Sequence, residues 1–161
     1  MRLIEDKIKS PKILKNIILR LKRRNIKVAF TNGCFDILHY GHVNYLQNAK
    51  RLTDILVVAI NSDSSVKRIK GRRRPVIKLK DRMRTVAALE SVDFVTSFNE
   101  DTPLNLIKLL KPDILVKGGD YNSNKIVGKD IVESYGGYVK IIPYIKGQSS
   151  SKIIKRIGKT F

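Results

Sequence analysis

Apolar residues along the chain follow two alternating patterns, and these patterns predict its secondary structure. Continuous apolar runs such as 55–60 are typical of strands that are covered on both faces. Apolar residues spaced three and four apart, such as Ile13, Leu14, Ile17 and Ile18, are typical of amphipathic helices. The runs predict strands at about 27–32, 54–60, 93–98, 113–117 and 138–142. The stripes predict helices at about 11–24, 41–52, 63–69, 82–89, 102–110, 128–135 and 149–157.

Strands and helices alternate along the whole chain, which predicts parallel strands joined by right-handed crossovers. The expected fold class is therefore α/β, with a Rossmann-like, doubly wound sheet of five parallel strands. The chain has 161 residues and contains no repeat, linker or low-complexity segment. We therefore expect a single domain over residues 1–161, with the N-terminal helix at about 11–24 packed on it.

Residues suited to chemistry are concentrated directly after predicted strands. Glycine, histidine, lysine, arginine and serine are frequent in four segments, 31–42, 61–74, 117–121 and 147–152. In a doubly wound sheet the carboxyl ends of the strands meet at one edge, and ligands bind there. The sequence thus predicts one ligand site to which all four segments contribute.

The chain carries 33 Lys and Arg residues against 14 Asp and Glu residues, a net charge of +19, so it attracts polyanions. Nucleic-acid binding, a site for nucleotide and sugar phosphates, and a general bias toward lysine would each explain this charge. Only one run, 67–74, is densely basic, and the sequence contains no helix-turn-helix, zinc-finger or RNP motif. We therefore do not expect a nucleic acid as the main partner.

Cys34 is the only cysteine, which excludes an internal disulfide and fits a reducing cytosol. The longest apolar run, 55–60, is far short of the roughly 20 residues that a membrane helix needs. The N-terminus also lacks the apolar core of a signal peptide. We therefore expect a cytoplasmic protein with no membrane partner.

Residues 31–42, here termed the histidine segment, read Thr-Asn-Gly-Cys-Phe-Asp-Ile-Leu-His-Tyr-Gly-His and contain the only two histidines, His39 and His42. These histidines share one face if the segment runs into a helix, because they stand three residues apart. Gly33 and Gly41 let the backbone turn tightly or approach a ligand. A strand, a glycine turn, paired imidazoles and a helix N-terminus together suit an anion-binding site. No other histidine or cysteine cluster is present to complete a four-ligand zinc site, so we predict no metal site.

The histidine segment resembles the His-x-Gly-His signature of the nucleotidylyltransferase superfamily, preceded here by Gly-Cys-Phe-Asp. The chain is similar in particular to the D-glycero-D-manno-heptose 1-phosphate adenylyltransferases. Residues 61–75 match that family's Asn-Ser-Asp-x-Ser-Val-x-Arg-x-Lys-Gly-x-x-Arg-Pro segment. Residues 110–121, Leu-Lys-Pro-Asp-Ile-Leu-Val-Lys-Gly-Gly-Asp-Tyr, also look like these enzymes. The stretch 147–151, Gly-Gln-Ser-Ser-Ser, resembles the family's Gly-x-Ser-Thr-Thr, whose hydroxyl and N–H groups hold the triphosphate.

The resemblance implies a reaction and its participants. AMP would pass from ATP to D-glycero-D-manno-heptose 1-phosphate, giving ADP-heptose for the lipopolysaccharide core precursor, and pyrophosphate. Mg²⁺ would be bound with ATP, and a homodimer is compatible with the family. Family members are often fused to a sugar kinase, for which this chain has no room. A separate sugar kinase and a phosphatase are therefore expected in the pathway.

The resemblance also implies roles for individual residues. The catalytic residues would be His39, His42 and Lys67. The nucleotide-binding residues would be Thr31, Asn32, Gly33, Cys34, Phe35, Gly41, Lys117, Gly118, Gly119, Asp120, Ser149, Ser150 and Ser151. The residues that bind the sugar substrate or its phosphate would be Asp36, Asn61, Asp63, Lys70, Arg74 and Arg82. Arg82 opens the predicted helix at 82–89 and matches an arginine that contacts ligand phosphates in related enzymes.

Two alternatives stay open at the level of sequence. The first is a cytidylyltransferase that acts on a small alcohol phosphate such as glycerol 3-phosphate. Such enzymes tend to carry Met-Gly-His-Asp-Trp at the positions of 117–121 and an arginine at the position of Tyr144, so these differences argue against cytosine as the base. The second is a basic nucleic-acid-binding module without enzyme activity. A nucleophilic role for Cys34 is disfavoured, because displacement of one phosphate by another needs no covalent intermediate.

Overall fold

The structure, a computed structural model, describes residues 3–119, 126–145, 147 and 149–160. Its strands are β1 Val28–Gly33, β2 Ile55–Asn61, β3 Phe94–Phe98, β4 Ile114–Gly118 and β5 Tyr138–Ile142. Its helices are α1 Ile4–Lys7, α2 Pro11–Lys22, α3 Tyr40–Lys50, α4 Asp63–Lys70, α5 Leu79–Ala87, α6 Leu104–Leu110, α7 Lys129–Ser134 and α8 Ser150–Thr160. Every predicted strand and helix is confirmed, with ends that differ by a few residues.

The sheet contains five parallel strands in the order β3-β2-β1-β4-β5. β1 pairs with β2 on one side, where Phe30 lies opposite Val57, and with β4 on the other, where Phe30 lies opposite Leu115. The chain builds one half of the sheet outward from β1 and then crosses over to build the other half. This topology confirms the predicted doubly wound fold, and its switch point lies between β1 and β4.

The sheet is covered on both faces, because successive residues of a strand point to opposite layers. Ala29 packs in one hydrophobic cluster with Leu46 of α3. Its neighbour Phe30 packs in the other cluster with Leu14 of α2 and Ile107 of α6. All five side chains are fully buried. The continuous apolar runs of the sequence therefore reflect strands that contribute to two cores at once.

The described helices are short and lie on the surface of the sheet. α2 begins at Pro11 after Ser10, whose side chain accepts a hydrogen bond of 3.4 Å from the N–H of Ile13. Its apolar stripe buries Leu14 and Ile18 against the domain. Among the described residues, no helix combines the length and the apolar character that crossing a lipid bilayer requires.

Candidate active site

A cavity of about 540 Å³ opens at the carboxyl ends of the strands, around the switch point between β1 and β4. Its wall includes residues that follow β1, β2, β4 and β5. Residues from all four of the segments predicted to form the ligand site therefore contribute to it. The predicted site residues that line it are Asn32, Gly33, Cys34, Phe35, Asp36, His39, Gly41, His42, Asn61, Lys70, Arg74, Lys117, Gly118, Ser149, Ser150 and Ser151. Asp120, which the resemblance assigns to the nucleotide, lies outside the described residues.

The two histidines stand in contact at the N-terminus of α3. The carbonyl oxygen of His39 accepts hydrogen bonds from the N–H groups of His42 and Val43, at 2.9 and 3.2 Å, and so begins the helix. The helical spacing of three residues stacks the two imidazoles, with ring centroids 3.9 Å apart and an interplanar angle of 26°. The ring of Phe35 lies 5.1 Å from that of His42 and covers it. The histidine segment thus presents paired imidazoles beside the free N–H groups of a helix end.

Both imidazoles are neutral at pH 7. Burial lowers the pKa of His42 to about 4, the nearby His39 lowers it further, and a hydrogen bond with the backbone of Ile37 opposes the shift. Burial also lowers the pKa of His39. The Nδ1 atom of His39 is buried and has no hydrogen-bond partner among the described residues. A ligand that supplies such a partner would satisfy this atom, because buried polar atoms are normally hydrogen-bonded.

The lowered pKa of His42 makes stability depend on pH. Between its ordinary pKa of 6.5 and the folded value of about 4, the unfolded chain binds a proton that the folded protein does not bind. This group therefore leaves the free energy of unfolding unchanged above about pH 6.5 and lowers it as the pH falls from 6.5 toward 4. Urea unfolding from pH 7 to 4 should show a smaller loss of unfolding free energy for His42→Gln than for the unmodified protein. Equal losses in both proteins would contradict this assignment.

Asp36 fixes the loop that follows α4. Its Oδ1 accepts hydrogen bonds from the N–H groups of Val76 and Ile77, at 2.8 and 2.9 Å. Its Oδ2 lies 2.6 Å from Nε of Arg74, and the carboxylate side chain is only 1% exposed. The sequence assigns Asp36 to substrate, but its carboxylate is committed to protein groups. Asp36 therefore holds Arg74 at the cavity wall.

Arg82 is a buried connector, which corrects the predicted phosphate contact. Its side chain is 0% exposed and does not line the cavity. The guanidinium donates hydrogen bonds to three carbonyl oxygens and pairs with one carboxylate; the partners are Cys34, Asn61, Ile77 and Asp63. The physical reason is that α5 begins at Leu79, three residues earlier than predicted. Arg82 therefore lies inside the first turn, where it faces the protein interior.

Replacing Arg82 with lysine should destabilise the protein by about 2 kcal/mol. A lysine keeps the charge but cannot direct donors to several carbonyl oxygens at once, so buried acceptors would lose their partners. Arg84→Lys is the matched control, since Arg84 lies on the same helix with a side chain 46% exposed. We expect the control to change the free energy of unfolding by less than about 0.5 kcal/mol. Similar values for both variants in denaturant titrations would refute the connector role.

Other predicted residues also lie away from the cavity lining. Thr31 is fully buried, and its hydroxyl is 2.6 Å from the hydroxyl of Tyr45, because its side chain faces the layer of α3. Asp63 accepts a hydrogen bond of 2.9 Å from the N–H of Leu79 and pairs with Arg82, so it anchors α5. The N–H of Gly119 donates to the carbonyl oxygen of Ile142, and this residue lies just beyond the lining. At these positions the described contacts are with other parts of the protein, and the residues do not line the cavity.

The lysines of α4 separate into two environments. Both lysines are exposed, but Lys70, in the last turn of α4, lines the cavity and Lys67 does not. Lys70 takes part in no ion pair among the described residues. Arg74, by contrast, is neutralised in part by Asp36. The sequence assigns a catalytic role to Lys67, but the structure brings Lys70 to the cavity wall in its place.

Lys117 and Asn32 join the two strands that flank the switch point. The Nζ atom of Lys117, at the end of β4, donates a hydrogen bond to Oδ1 of Asn32, at the end of β1. Burial lowers the pKa of Lys117 to about 8. The ammonium form still predominates at pH 7, and a bound phosphate would stabilise it further.

The N-terminus of α8 lies beside the histidine segment. The Ser149 side chain accepts a hydrogen bond of 3.2 Å from the N–H of Lys152, so Ser149 caps the helix. The Ser150 hydroxyl donates a hydrogen bond of 3.0 Å to the carbonyl oxygen of Ile37. Together with Ser151, these residues place hydroxyl groups and the positive end of α8 at the cavity.

Comparison with known families shows which family this chain belongs to. The model of the cytidylyltransferase-like family matches residues 30–156, which include the histidine segment, α4 and most of α8. The chain belongs to the cytidylyltransferase-like family. The resemblance to nucleotidylyltransferases that the histidine segment carries is thereby confirmed.

Curated relatives extend over most of this cytidylyltransferase-like chain. Bifunctional protein HldE of Trichlorobacter lovleyi is 52% identical over 153 residues, which cover 95% of this chain and 31% of that protein. Bifunctional protein HldE of Campylobacter fetus subsp. fetus is 56% identical over 140 residues, 87% of this chain and 30% of the relative. The chain thus spans about a third of the length of these relatives.

A solved structure of similar sequence shares much of this fold. The lipopolysaccharide core biosynthesis protein from Thermoplasma volcanium GSS1 is 30% identical, with a TM-score of 0.62. The similarity covers 76% of this cytidylyltransferase-like chain and 99% of the solved chain. The sheet that carries the cavity is therefore shared with a protein of related sequence.

Some residues at the cavity of this cytidylyltransferase-like domain are not predicted from the sequence as site residues. They are Tyr45, Ile69, Asp101, Tyr144 and Ile145. Tyr45 and Ile69 belong to apolar stripes of helices, so the pattern places them in packing surfaces. Tyr144 and Ile145 lie shortly before Gly147 in the loop before α8. Their nearness to the predicted triphosphate-binding stretch 147–151 is the sequence signal that could have identified them.

Cys34 lines the cavity but has the properties of a protonated thiol. Burial raises its pKa, and Asp36 acts in the same direction, whereas Lys70, Arg82 and Arg74 lower it. The thiolate is the nucleophilic form of cysteine, and a raised pKa depletes it. The raised pKa therefore argues against a nucleophilic role for Cys34.

Proposed function

We propose that the chain transfers the adenylyl group of ATP to the phosphate of D-glycero-D-manno-heptose 1-phosphate and releases pyrophosphate. The observation that carries this proposal is the grouping of three kinds of anion-binding element around one cavity. They are the stacked imidazoles, the N-terminal end of α8, and the cations of Lys70 and Arg74. A reaction between two polyanions needs such a grouping, because it must hold both phosphates and offset their repulsion.

The proposed step is an in-line displacement at the α-phosphorus of ATP. An oxygen of the sugar phosphate forms a bond to this phosphorus while the bond to the oxygen bridging the α- and β-phosphates breaks. The bridging oxygen keeps the electron pair and leaves as part of pyrophosphate. The attacking oxygen is already an anion, so the step needs no general base. The protein's task is to align the reactants and stabilise negative charge.

Different residues around the cavity suit different phosphates of the two substrates. Neutral imidazoles of His39 and His42 can donate N–H groups to oxygens of the α- and β-phosphates. The hydroxyl and N–H groups at the start of α8 suit the remaining phosphates of the nucleotide. Lys70, with Arg74 beside it, suits the sugar phosphate and offsets its repulsion from the nucleotide. Preorganised donors of this kind act most strongly where charge develops in the transition state.

Sequence similarity supports the choice of ATP and of the heptose phosphate. The chain is 52% identical to a bifunctional protein HldE over 95% of its length. It is 30% identical to a lipopolysaccharide core biosynthesis protein of known structure. The Lys-Gly-Gly-Asp-Tyr stretch at 117–121 also resembles the heptose 1-phosphate adenylyltransferases. These similarities favour an adenylyl donor and a sugar phosphate acceptor for this cavity.

Mg²⁺ bound with ATP is part of the proposal. Mg²⁺ keeps several waters and usually takes one or two carboxylates besides the substrate phosphates. Within the described residues, no three His, Cys, Asp or Glu side chains are grouped as metal ligands. Of the carboxylates at the cavity, Asp36 is committed to Arg74 and to backbone N–H groups, and Asp101 to Arg68. The described side chains thus do not fit a metal held by the protein, and the phosphates of ATP would carry the ion.

The test is pyrophosphate release with ATP and with CTP across a panel of sugar 1-phosphates and small alcohol phosphates. We expect release from ATP with D-glycero-D-manno-heptose 1-phosphate to be at least about 10-fold faster than from any other pair. The family description favours a second candidate, a cytidylyltransferase acting on an alcohol phosphate. Preferred release from CTP would establish that candidate. No release from any nucleotide, with a gel shift of nucleic acid at physiological salt, would favour a nucleic-acid-binding module.

The location and the oligomeric state of the enzyme also remain predictions. A cytoplasmic location is expected from the single cysteine and the short apolar runs, and a homodimer is compatible with the resemblance. Sedimentation velocity on the purified chain tests the homodimer directly. A monomer at micromolar concentration would remove it from the proposal.

A further inference from the structure

Asp101 brings a carboxylate to the cavity from the loop between β3 and α6. It lines the cavity, and its side chain is 60% exposed. Its Oδ1 lies 2.7 Å from Nε of Arg68 in α4, and the same guanidinium also donates to the carbonyl oxygen of Asn99. Arg68 does not line the cavity, so it holds the carboxylate without occupying the cavity itself. Among the described residues, Oδ2 of Asp101 accepts no hydrogen bond, and this oxygen is available to a ligand.

Asp101 stands at the opposite end of the sheet from α8, which suits the nucleotide phosphates. The strand that precedes Asp101, β3, is one edge of the sheet, whereas α8 follows the other edge strand, β5. The histidine segment follows β1, in the middle of the sheet. Neighbouring strands lie about 4.8 Å apart, so β3 and β5 are separated by roughly 19 Å. A nucleotide held by the imidazoles and by α8 therefore leaves the β3 side of the cavity to the sugar phosphate.

The charges around Asp101 suit a ligand that carries hydroxyl groups besides a phosphate. Lys70 lies at the cavity wall two residues after Arg68 and suits the phosphate. A carboxylate near that phosphate would repel it, and the ion pair with Arg68 offsets this repulsion in part. A carboxylate can accept about four hydrogen bonds, so capacity remains after Arg68 is bound. The donors that an uncharged sugar ring offers to such an oxygen are its hydroxyl groups.

We propose that Asp101 is a specificity-determining residue that accepts hydrogen bonds from hydroxyl groups of the sugar substrate. This inference rests on the proposed function and deepens it, because it assigns a recognition group to the part of the substrate beyond its phosphate. Lys70 binds the phosphate, and Asp101 binds the sugar. Hydrogen bonds to charged groups are among the stronger ones, so losing this one should change affinity by about 10-fold or more.

The experiment measures binding of D-glycero-D-manno-heptose 1-phosphate by calorimetry in the presence of α,β-methylene ATP, so no turnover is needed. Asp101→Ala should raise the Kd of the sugar phosphate by about 10-fold or more. The same variant should leave the Kd of α,β-methylene ATP, measured alone, unchanged. Asp101→Asn should lie between the alanine variant and the unmodified protein, because one acceptor oxygen remains.

Two control variants separate contact with the sugar from support of the loop. Arg68→Gln removes the ion pair but keeps the carboxylate, and it should raise the Kd of the sugar phosphate by no more than about 3-fold, since exposed ion pairs contribute little. Glu100→Gln changes the neighbouring acidic residue, which accepts hydrogen bonds from Asn99 and Asn105 and does not line the cavity. It should bind both ligands like the unmodified protein.

The outcomes separate this inference from the proposed function. Unchanged or tighter binding of the sugar phosphate by Asp101→Ala would show that the carboxylate makes no contact with hydroxyl groups, and would overturn the inference. An Arg68→Gln variant as weak as Asp101→Ala would mean that the ion pair only supports α4, and would overturn it as well. An unmodified protein that does not bind the sugar phosphate would overturn the proposed function, and the inference with it, before any variant is compared. Circular dichroism of the variants checks that the fold survives.

Discussion

Replacing Lys70 with glutamate should lower turnover by at least about 1,000-fold. Lys70 lines the cavity and has no ion pair among the described residues, whereas Arg74 and Arg82 are both paired with carboxylates. A unit charge about 5 Å from a phosphate charge is worth about 3 kcal/mol at an effective dielectric constant of about 20. Charge reversal replaces that attraction with repulsion of similar size, so two polyanionic substrates would no longer be held together.

The controls for Lys70 test whether the effect is local. Lys67→Glu changes the same residue type one turn earlier on α4, outside the cavity lining, and should cost much less. Lys12→Glu and Lys159→Glu reverse exposed charges on α2 and α8. They should leave turnover nearly unchanged, because exposed charges beyond about 10 Å are screened by salt. Equal losses in all four variants would mean that the global positive field matters and that the assignment to Lys70 is wrong.

Replacing either histidine with alanine should lower kcat by about 100- to 1,000-fold. Each substitution removes one preorganised donor to the phosphates in the transition state, and losses of this size are typical for such donors. The stacking of the two rings at 3.9 Å makes the pair a single unit, so the double variant should lose less than the product of the two single losses. Steady-state kinetics of pyrophosphate release provide the measurement.

Tyr40→Ala is the control for the histidine variants. Tyr40 stands between His39 and His42 in sequence, but it is 61% exposed and does not line the cavity. We expect its kcat to stay within a few-fold of the unmodified value. Normal rates in both histidine variants, with unfolding midpoints that show intact folds, would rule out the proposed role of the imidazoles.

The fold follows from the sequence because its signals are local. Strands buried on both faces leave continuous apolar runs, and amphipathic helices leave stripes, so the order of elements and the doubly wound sheet could be predicted. The helix α1 leaves no such signal, because none of its residues is buried. The start of α5 was missed because Lys78 precedes it without a side-chain cap, so no capping residue marks the boundary.

The candidate site could be predicted only in part, because residue roles depend on which way side chains face. The segments that meet at the cavity follow from the topology rule alone. Thr31 and Asn32 are neighbours in β1, yet one faces the core and the other reaches Lys117 at the cavity. The burial of Arg82 depends on the nearby carbonyl group of Ile77 and on those of Cys34 and Asn61, which the fold brings from two distant segments. No local pattern records the two distant contacts.

The connections made by Asp36 and Arg82 have a consequence for engineering this protein. These two residues brace the histidine segment against the loop before α5 from two directions. On the opposite side, the Ser150 hydroxyl joins α8 to the histidine segment. Substitutions in the braced wall change several contacts at once and will tend to trade activity against folding. Substitutions at cavity residues outside this wall, such as Lys70, change fewer contacts among the described residues and are therefore easier to interpret.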